Sequence, residues 1–364
     1  MSLFDPDVWQ RVPFHFWSVA FFVFGTIVGS FCNVCIYRMP EGLSVVSPPS
    51  HCPSCKYSIP WYLNIPLVTW LWLRGRCSNC GAPISFRYFL VELLVGLLFL
   101  GAWLTAGHFV LALAYCVLFA GLVIATFIDL AHYIIPDEIT YGGMAAGFLL
   151  SPLAPAMLGV QTAPQAMIQS AIGLLFGVSV IYAIVRAGKW AFGQEKIELQ
   201  PGSQVVFTEE TVQLPGEEIP YEDLFYRHGD CIEVQADSVN MGERHFENVR
   251  IRLYSDRLEI GEETFDPEPI SRVEMVAQRV VLPREAMGLG DVKFMGAIGA
   301  FLGYKGVVFS LLASSMIGAL VGVILIATKK RQWSSRLPYG PYIALAAVIW
   351  VFEGPRILKW LLPG

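Results

Sequence analysis

Apolar stretches recur along this chain at lengths that suit a membrane interior. They cover 14–37, 88–105, 108–128, 139–153, 166–185, 292–302 and 307–327, and a last one opens at Pro338-Tyr-Gly-Pro341 and runs to about 351. A hydrocarbon core of about 30 Å is crossed by about 20 helical residues. Only 15% of the residues are charged and 55% are hydrophobic, with a mean hydropathy of +0.54, whereas soluble domains carry about 25% charged residues. The expected fold is a polytopic α-helical membrane protein with about eight transmembrane helices. The run at 292–302 is short for a full crossing, which places Asp291 partly within the membrane thickness.

Two long polar segments interrupt the pattern. Residues 38–87 contain Cys52-Pro-Ser-Cys55 and Cys77-Ser-Asn-Cys80. Each C-x-x-C turn presents two thiolates to one ion, so the four cysteines read as a zinc-knuckle-type loop with structural zinc. Free loop thiols are the alternative. The second segment, 190–285, is acidic and carries β-like runs such as Gln204–Thr208 and Val249–Tyr254, punctuated by Gly and Pro. It reads as an inserted β-rich domain whose scattered carboxylates form a solvated surface. The chain thus divides into a first helix (1–37), the cysteine loop (38–87), helices 2–5 (88–189), the insertion (190–285) and helices 6–8 (286–364). Cys32 and Cys35 also form a C-x-x-C pair, but inside an apolar helix, where small packing residues are expected. Cys231 and His228 are lone residues with structural roles. The acidic N-terminus has no basic leader before its first apolar run, so no cleavable signal peptide is expected. No basic patch suggests nucleic acid.

Lys and Arg near span ends fix the orientation. They concentrate in 38–87, 186–196 and 329–336, while the opposite connections near 106, 154–164 and 303–306 hold only Lys305. Both termini are then outside the cytoplasm, and the cysteine loop and the insertion are inside. With eight spans, Asp129 and Asp291 end on that same cytoplasmic face.

A carboxylate at a membrane boundary is costly and is usually paired, solvated or functional. Asp291 follows Gly288-Leu-Gly290 and opens an apolar run, and Asp129 closes another. Two carboxylates holding a water and sharing a proton can hydrolyse a peptide bond. Asp129 and Asp291 are the candidate acid/base pair, with neither assigned as the base. Asp137, after Pro136, competes with Asp129 for the role, and helix capping is its preferred reading. Lys293 and His132 lie near the aspartates in sequence and read as headgroup-facing residues. Glu92 is expected to be interfacial. The acidic excess of the insertion suits a basic leader as partner.

The assembled motifs resemble the prepilin peptidase family. They are Gly29-Ser-Phe-Cys-Asn-Val-Cys-Ile-Tyr-Arg38, the paired C-x-x-C, Asn64-Ile-Pro66, Leu73-Arg-Gly-Arg-Cys77, Ile84-Ser-Phe-Arg-Tyr88 and Val91-Glu-Leu-Leu94. Asp129 with Ile135-Pro-Asp137, Gly288-Leu-Gly-Asp291 and Pro338-Tyr-Gly-Pro341 complete the set. The resemblance implies a bifunctional enzyme of the bacterial inner membrane with its active site facing the cytoplasm. Asp129 and Asp291 would cleave the leader of type IV prepilins and type II secretion pseudopilins. The new N-terminal residue would then be methylated from S-adenosylmethionine. The loop of Cys52, Cys55, Cys77 and Cys80 marks the bifunctional bacterial form, and Gly75 and Arg76 are the candidate residues affecting methylation. A peptidase without methyltransferase, and a non-enzymatic zinc-containing membrane scaffold, are the alternatives. The long insertion departs from the family pattern and bears on substrate range and partners.

Overall fold

Residues 14–192, 194–221, 224–225, 230–241, 244–266, 272–283, 288–328 and 338–361 are described by a computed structural model. The apolar runs are helical: α1 (Phe14–Arg38), α3 (Phe86–Ala106), α4 (Phe109–His132), α5 (Asp137–Leu150), α6 (Ala163–Phe192), α7 (Leu289–Ala327) and α8 (Gly340–Leu361). A five-residue helix, α2 (Val68–Trp72), lies in the cysteine loop. Of these, α1, α3, α4, α6 and α7 are long and apolar enough to cross a membrane. The chain is therefore a membrane protein. Helix α1 packs chiefly on α3, α4 lies between α3 and α8, and α7 packs on α5 and α8. Ser170 ties α6 to α7 by donating its hydroxyl to the Ala300 carbonyl at 2.7 Å.

The runs expected at 292–302 and 307–327 are joined without the connection expected at 303–306. They form one 39-residue segment broken at a single residue, Gly303, whose φ of 66° and ψ of 179° are non-helical. That conformation is essentially confined to glycine, so one residue does the work of a loop. Unbroken, the segment would be about 58 Å long, roughly twice the hydrocarbon core. Helix α6 also extends past its expected end at 185, and α8 past 351.

Residues Ala183–Met287 form a separate compact unit. Among the described residues its strands are β1 (Gln194–Glu198), β2 (Gln204–Thr208), β3 (Thr211–Leu214), β4 (Glu217–Pro220), β5 (Cys231–Met241), β6 (Arg244–Tyr254), β7 (Leu258–Ile260), β8 (Glu263–Phe265) and β9 (Arg272–Pro283). They make one antiparallel sheet in the order β4-β3-β2-β9-β5-β6-β7-β8, with β1 also on β9. Alternation along β5 and β9 turns Ile232, Val234, Val273 and Met275 into a core with Phe207 and Ile251. Both strands carry an extra residue in the middle, Asp237 and Gln278, and the burial phase shifts there. The two bulged residues bind each other, the Gln278 amide donating to both Asp237 carboxylate oxygens at 3.1 Å. In the last turns of α6, Lys189 pairs with buried Asp230 at 2.7 Å, which anchors the helix end to the start of β5. Cys231 opens β5 opposite Tyr254, whereas His228 lies outside the described residues.

Candidate active site and cysteine cluster

Asp129 occupies the last turn of α4, whose backbone is ended by Tyr133 in the left-handed conformation. A carboxylate at a helix C-terminus meets the negative end of the helix dipole. Here the N-terminus of α8 offsets that penalty. The Gly340 N–H donates to Asp129 Oδ2 at 2.8 Å, and Asp129 is only 5% exposed. A Cβ at residue 340 would lie 2.7 Å from the same oxygen, so the close approach requires glycine. The Tyr339 hydroxyl lies 2.9 Å from the hydroxyls of both Ser314 and Ser315, which holds the Pro338-Tyr-Gly-Pro341 turn against α7.

Asp291 is half-buried in the first turn of α7, where the dipole favours a carboxylate. Its Oδ2 turns back toward Gly288, and the side chain lies within electrostatic reach of Asp129. Ile135 links the two surroundings. A Cβ on Gly290 would be 3.3 Å from Ile135 Cβ, and one on Gly340 would be 3.2 Å from Ile135 Cδ1. Buried Ile135 thus wedges between the Gly-x-Gly turn that precedes Asp291 and the start of α8, whose Gly340 N–H binds Asp129.

Asp137 does not cap by its side chain. Pro136 is the N-cap of α5, and Asp137, the first helical residue, forms an ion pair with Lys293. Lys293 also lies 5.1 Å from the centre of the Tyr141 ring. The pair ties α5 to the first turn of α7, so Lys293 is a tether rather than a headgroup-facing residue. Glu92 has a structural partner. It is buried in α3 and accepts a hydrogen bond from the Leu67 N–H at 2.8 Å, which fixes the cysteine loop to the helix below it.

The four loop cysteines converge. Their sulfurs all lie within 4.8 Å of one another, with Cys52–Cys80 at 3.9 Å and Cys55–Cys77 at 4.0 Å. Tetrahedral zinc with Zn–S bonds of 2.3 Å requires sulfurs about 3.8 Å apart. The two turns are built alike. Cys52 N–H donates to Tyr57 O and Lys56 N–H to Cys52 O; Cys77 N–H donates to Ala82 O and Gly81 N–H to Cys77 O. Lys56 and Gly81, each four residues after the first cysteine of its pair, have φ of 58° and 72°. The backbone N–H of Cys55 holds the Cys52 thiol down at about 6. Tyr57 N–H and the Asn79 amide lower Cys55. At Cys80 the Ala82 N–H favours the thiolate, but the neighbouring sulfurs and burial outweigh it and push the thiol up to about 11. Cys52 and Cys55 favour the thiolate and Cys80 resists it, and a divalent cation at the centre would favour the thiolate at each ligand. The donor set and geometry fit such an ion.

Gly75 and Arg76 adjoin this cluster. Gly75 is buried with φ of 66°, and a Cβ there would lie 2.8 Å from the Trp70 ring. Arg76 is exposed and pairs in a β-bridge with Pro83. Cys32 and Cys35 are buried packing residues of α1. Sequence reasoning gave no role to the Gly340 N–H or to Trp70, because a backbone donor and a packing ring carry no motif of their own.

Comparison with known proteins bears on both halves. Residues 23–106 match the Bacterial Peptidase A24 N-terminal domain. Residues 116–199 and 273–323 match the Type IV leader peptidase family, and the break between them falls on the inserted sheet. A prepilin leader peptidase/N-methyltransferase of Aeromonas hydrophila is 28% identical over 96% of this chain and 95% of its own length. One from Myxococcus xanthus is 46% identical over 43% of this chain and 46% of its own. A type 4 prepilin-like proteins leader peptide-processing enzyme of Escherichia coli O78:H11 is 36% identical over 51% of this chain and 72% of its own. No solved structure matches the chain.

Proposed function

The chain belongs to the type IV leader peptidase family, and from that premise we propose that it is a bifunctional prepilin peptidase and N-methyltransferase. Asp129 and Asp291 are its catalytic pair. The observation that carries this reading is that Gly290, beside Asp291, and Gly340, whose N–H holds Asp129 Oδ2, lie against the same side chain, Ile135. In the ground state one carboxyl is protonated and the other ionised. The ionised group takes a proton from water as the water oxygen attacks the scissile carbonyl carbon, and the protonated group supplies a proton to the carbonyl oxygen. Collapse of the tetrahedral intermediate breaks the C–N bond, and the amine leaves with a proton from the pair. The Gly340 hydrogen bond occupies one Asp129 oxygen and leaves the other for proton exchange.

The substrate has a basic leader followed by an apolar helix, and it is cut at the cytoplasmic face of the inner membrane. Support for that face comes from Arg38, Lys56, Arg74, Arg76 and Arg87 in or beside the cysteine loop, and from the lack of Lys or Arg in 151–162. Counting the two legs of α7 separately and including α5 and α8 gives eight spans, which returns both aspartates to that face. The new α-amine then attacks the methyl group of S-adenosylmethionine. The N–C bond forms as the S–C bond breaks, and the ammonium loses one proton. Cys52, Cys55, Cys77 and Cys80 hold structural zinc. Gly75, in its left-handed backbone under Trp70, and Arg76 position the loop for methylation.

A prepilin incubated with the purified protein is expected to lose its leader, and to gain one methyl only when S-adenosylmethionine is present. Mass spectrometry of the mature N-terminus checks this. Cleavage without methylation would leave a peptidase alone, and no cleavage would refute the proposal. Gly340→Ala is expected to lower kcat/KM for cleavage by about 10²-fold, because moving a reacting group by about 1 Å can cost that much. Kinetics beside a thermal melt would check that the fold is retained.

A further inference from the structure

A cavity of about 850 Å³ lies between α1 and segments 45–50 and 64–68 of the cysteine loop. Its floor includes Val23, Ile27 and Phe31, spaced four residues apart on one face of α1 and each about half exposed. The opposite face of α1 is already engaged with α3. A Cβ on Gly25 would lie 2.8 Å from Gly96 Cα, and one on Gly29 would lie 2.7 Å from Glu92 Cα. The open stripe therefore belongs to a membrane helix packed on its other side. From Val23 to Arg38 it extends for about 22 Å.

The roof over the upper end is fixed by buried polar contacts. Arg38 donates to Ser44 O at 3.0 Å and Pro48 O at 2.7 Å, and Glu92 accepts from Leu67 N–H. The roof presents Val46, Ile65 and Val68 to the cavity, all exposed. The groove is thus preformed, mostly apolar, and bounded by the loop at one end. Arg38 is the only charged group among the described residues lining it, and it is 7% exposed with its guanidinium committed to carbonyls. It offers little to a lipid phosphate. Ser50 and Asn64 leave neutral acceptors suited to an amine.

We infer that this groove receives the apolar helix of the processed substrate, with its new N-terminus beneath the cysteine loop. The inference rests on the function proposed above and assigns that function a docking site for the methylation stage. Chain connectivity supports it. Helices α3 and α4 are joined by two residues and α4 and α5 by four, so they run up and down. The end of α1, the start of α3 and the end of α4 at Asp129 then share one face. A segment cut at Asp129 and Asp291 has its new terminus at the level of the loop.

The test is photocrosslinking in phosphatidylethanolamine/phosphatidylglycerol vesicles, with p-benzoylphenylalanine at Ile27 or Val46. Leu104, exposed on α3 and outside the cavity, is the control. A labelled prepilin is added and allowed to be cleaved. The mature chain is expected to crosslink through its apolar segment at 27 and 46, several-fold more than at 104. Adducts to phospholipid alone at 27 and 46, or equal yields at all three positions, would overturn the inference. Failure of the unsubstituted protein to cleave the prepilin would instead overturn the function, and this inference with it.

Discussion

Replacing either Asp129 or Asp291 by Asn is expected to lower prepilin cleavage at least about 10³-fold, a loss of roughly 4 kcal/mol of transition-state stabilisation. Asn keeps the size of the side chain and one acceptor oxygen. At residue 129 it can still receive the Gly340 N–H, now held at 2.8 Å, so the turn at the start of α8 is preserved. What it cannot do is exchange a proton with water or substrate. The same holds at residue 291 in the first turn of α7. Cleavage rates beside a thermal melt separate lost chemistry from lost folding. By contrast, Asp137→Asn removes the charge that pairs with Lys293 and is expected to spare most activity.

The second large effect concerns the cysteine loop. The purified protein is expected to bind about one zinc per chain, and Cys52→Ser or Cys77→Ser is expected to lower that content at least about tenfold, because structural zinc requires four ligands. The sulfurs already stand 3.9 and 4.0 Å apart in pairs. A shared cation would be the link between the Cys52–Cys55 turn and the Cys77–Cys80 turn. Metal removal by a chelator should therefore open the loop, exposing 45–68 to protease, while α1 and α3 stay packed. Metal analysis with limited proteolysis checks both halves. A loop that remains resistant after the metal is stripped would show that Arg38 and Glu92 hold it alone.

Much of this architecture is legible in the sequence because lipid restricts what the chain can do. Apolar runs of membrane length became helices, and the β-like runs Gln204–Thr208 and Val249–Tyr254 became strands of the inserted sheet. The aspartates stood out because each ends or begins an apolar run, where a carboxylate is costly. The paired C-x-x-C stood out because its spacing has few other uses. Features that depend on backbone rather than side-chain identity were not legible. The Gly340 N–H reaches a carboxylate 211 residues away in sequence, and only the folded chain brings them together. Gly303 looks like any glycine in an apolar run until its φ and ψ are known. The hydrogen bond from the Leu67 N–H to Glu92 joins a helix to a distant loop and leaves no mark in the sequence. Asp237 and Gln278 give no hint that they oppose each other as bulges.

The account rests on Asp129 and Asp291 acting as one unit, and a double-mutant cycle on prepilin cleavage tests that most directly. Asp129→Asn, Asp291→Asn and the double variant are compared with the unsubstituted protein under single-turnover conditions. Groups that act together are strongly non-additive, so the double variant is expected to be no slower than the slower single variant. Losses that multiply, or one single variant that keeps near-normal cleavage, would contradict a shared site.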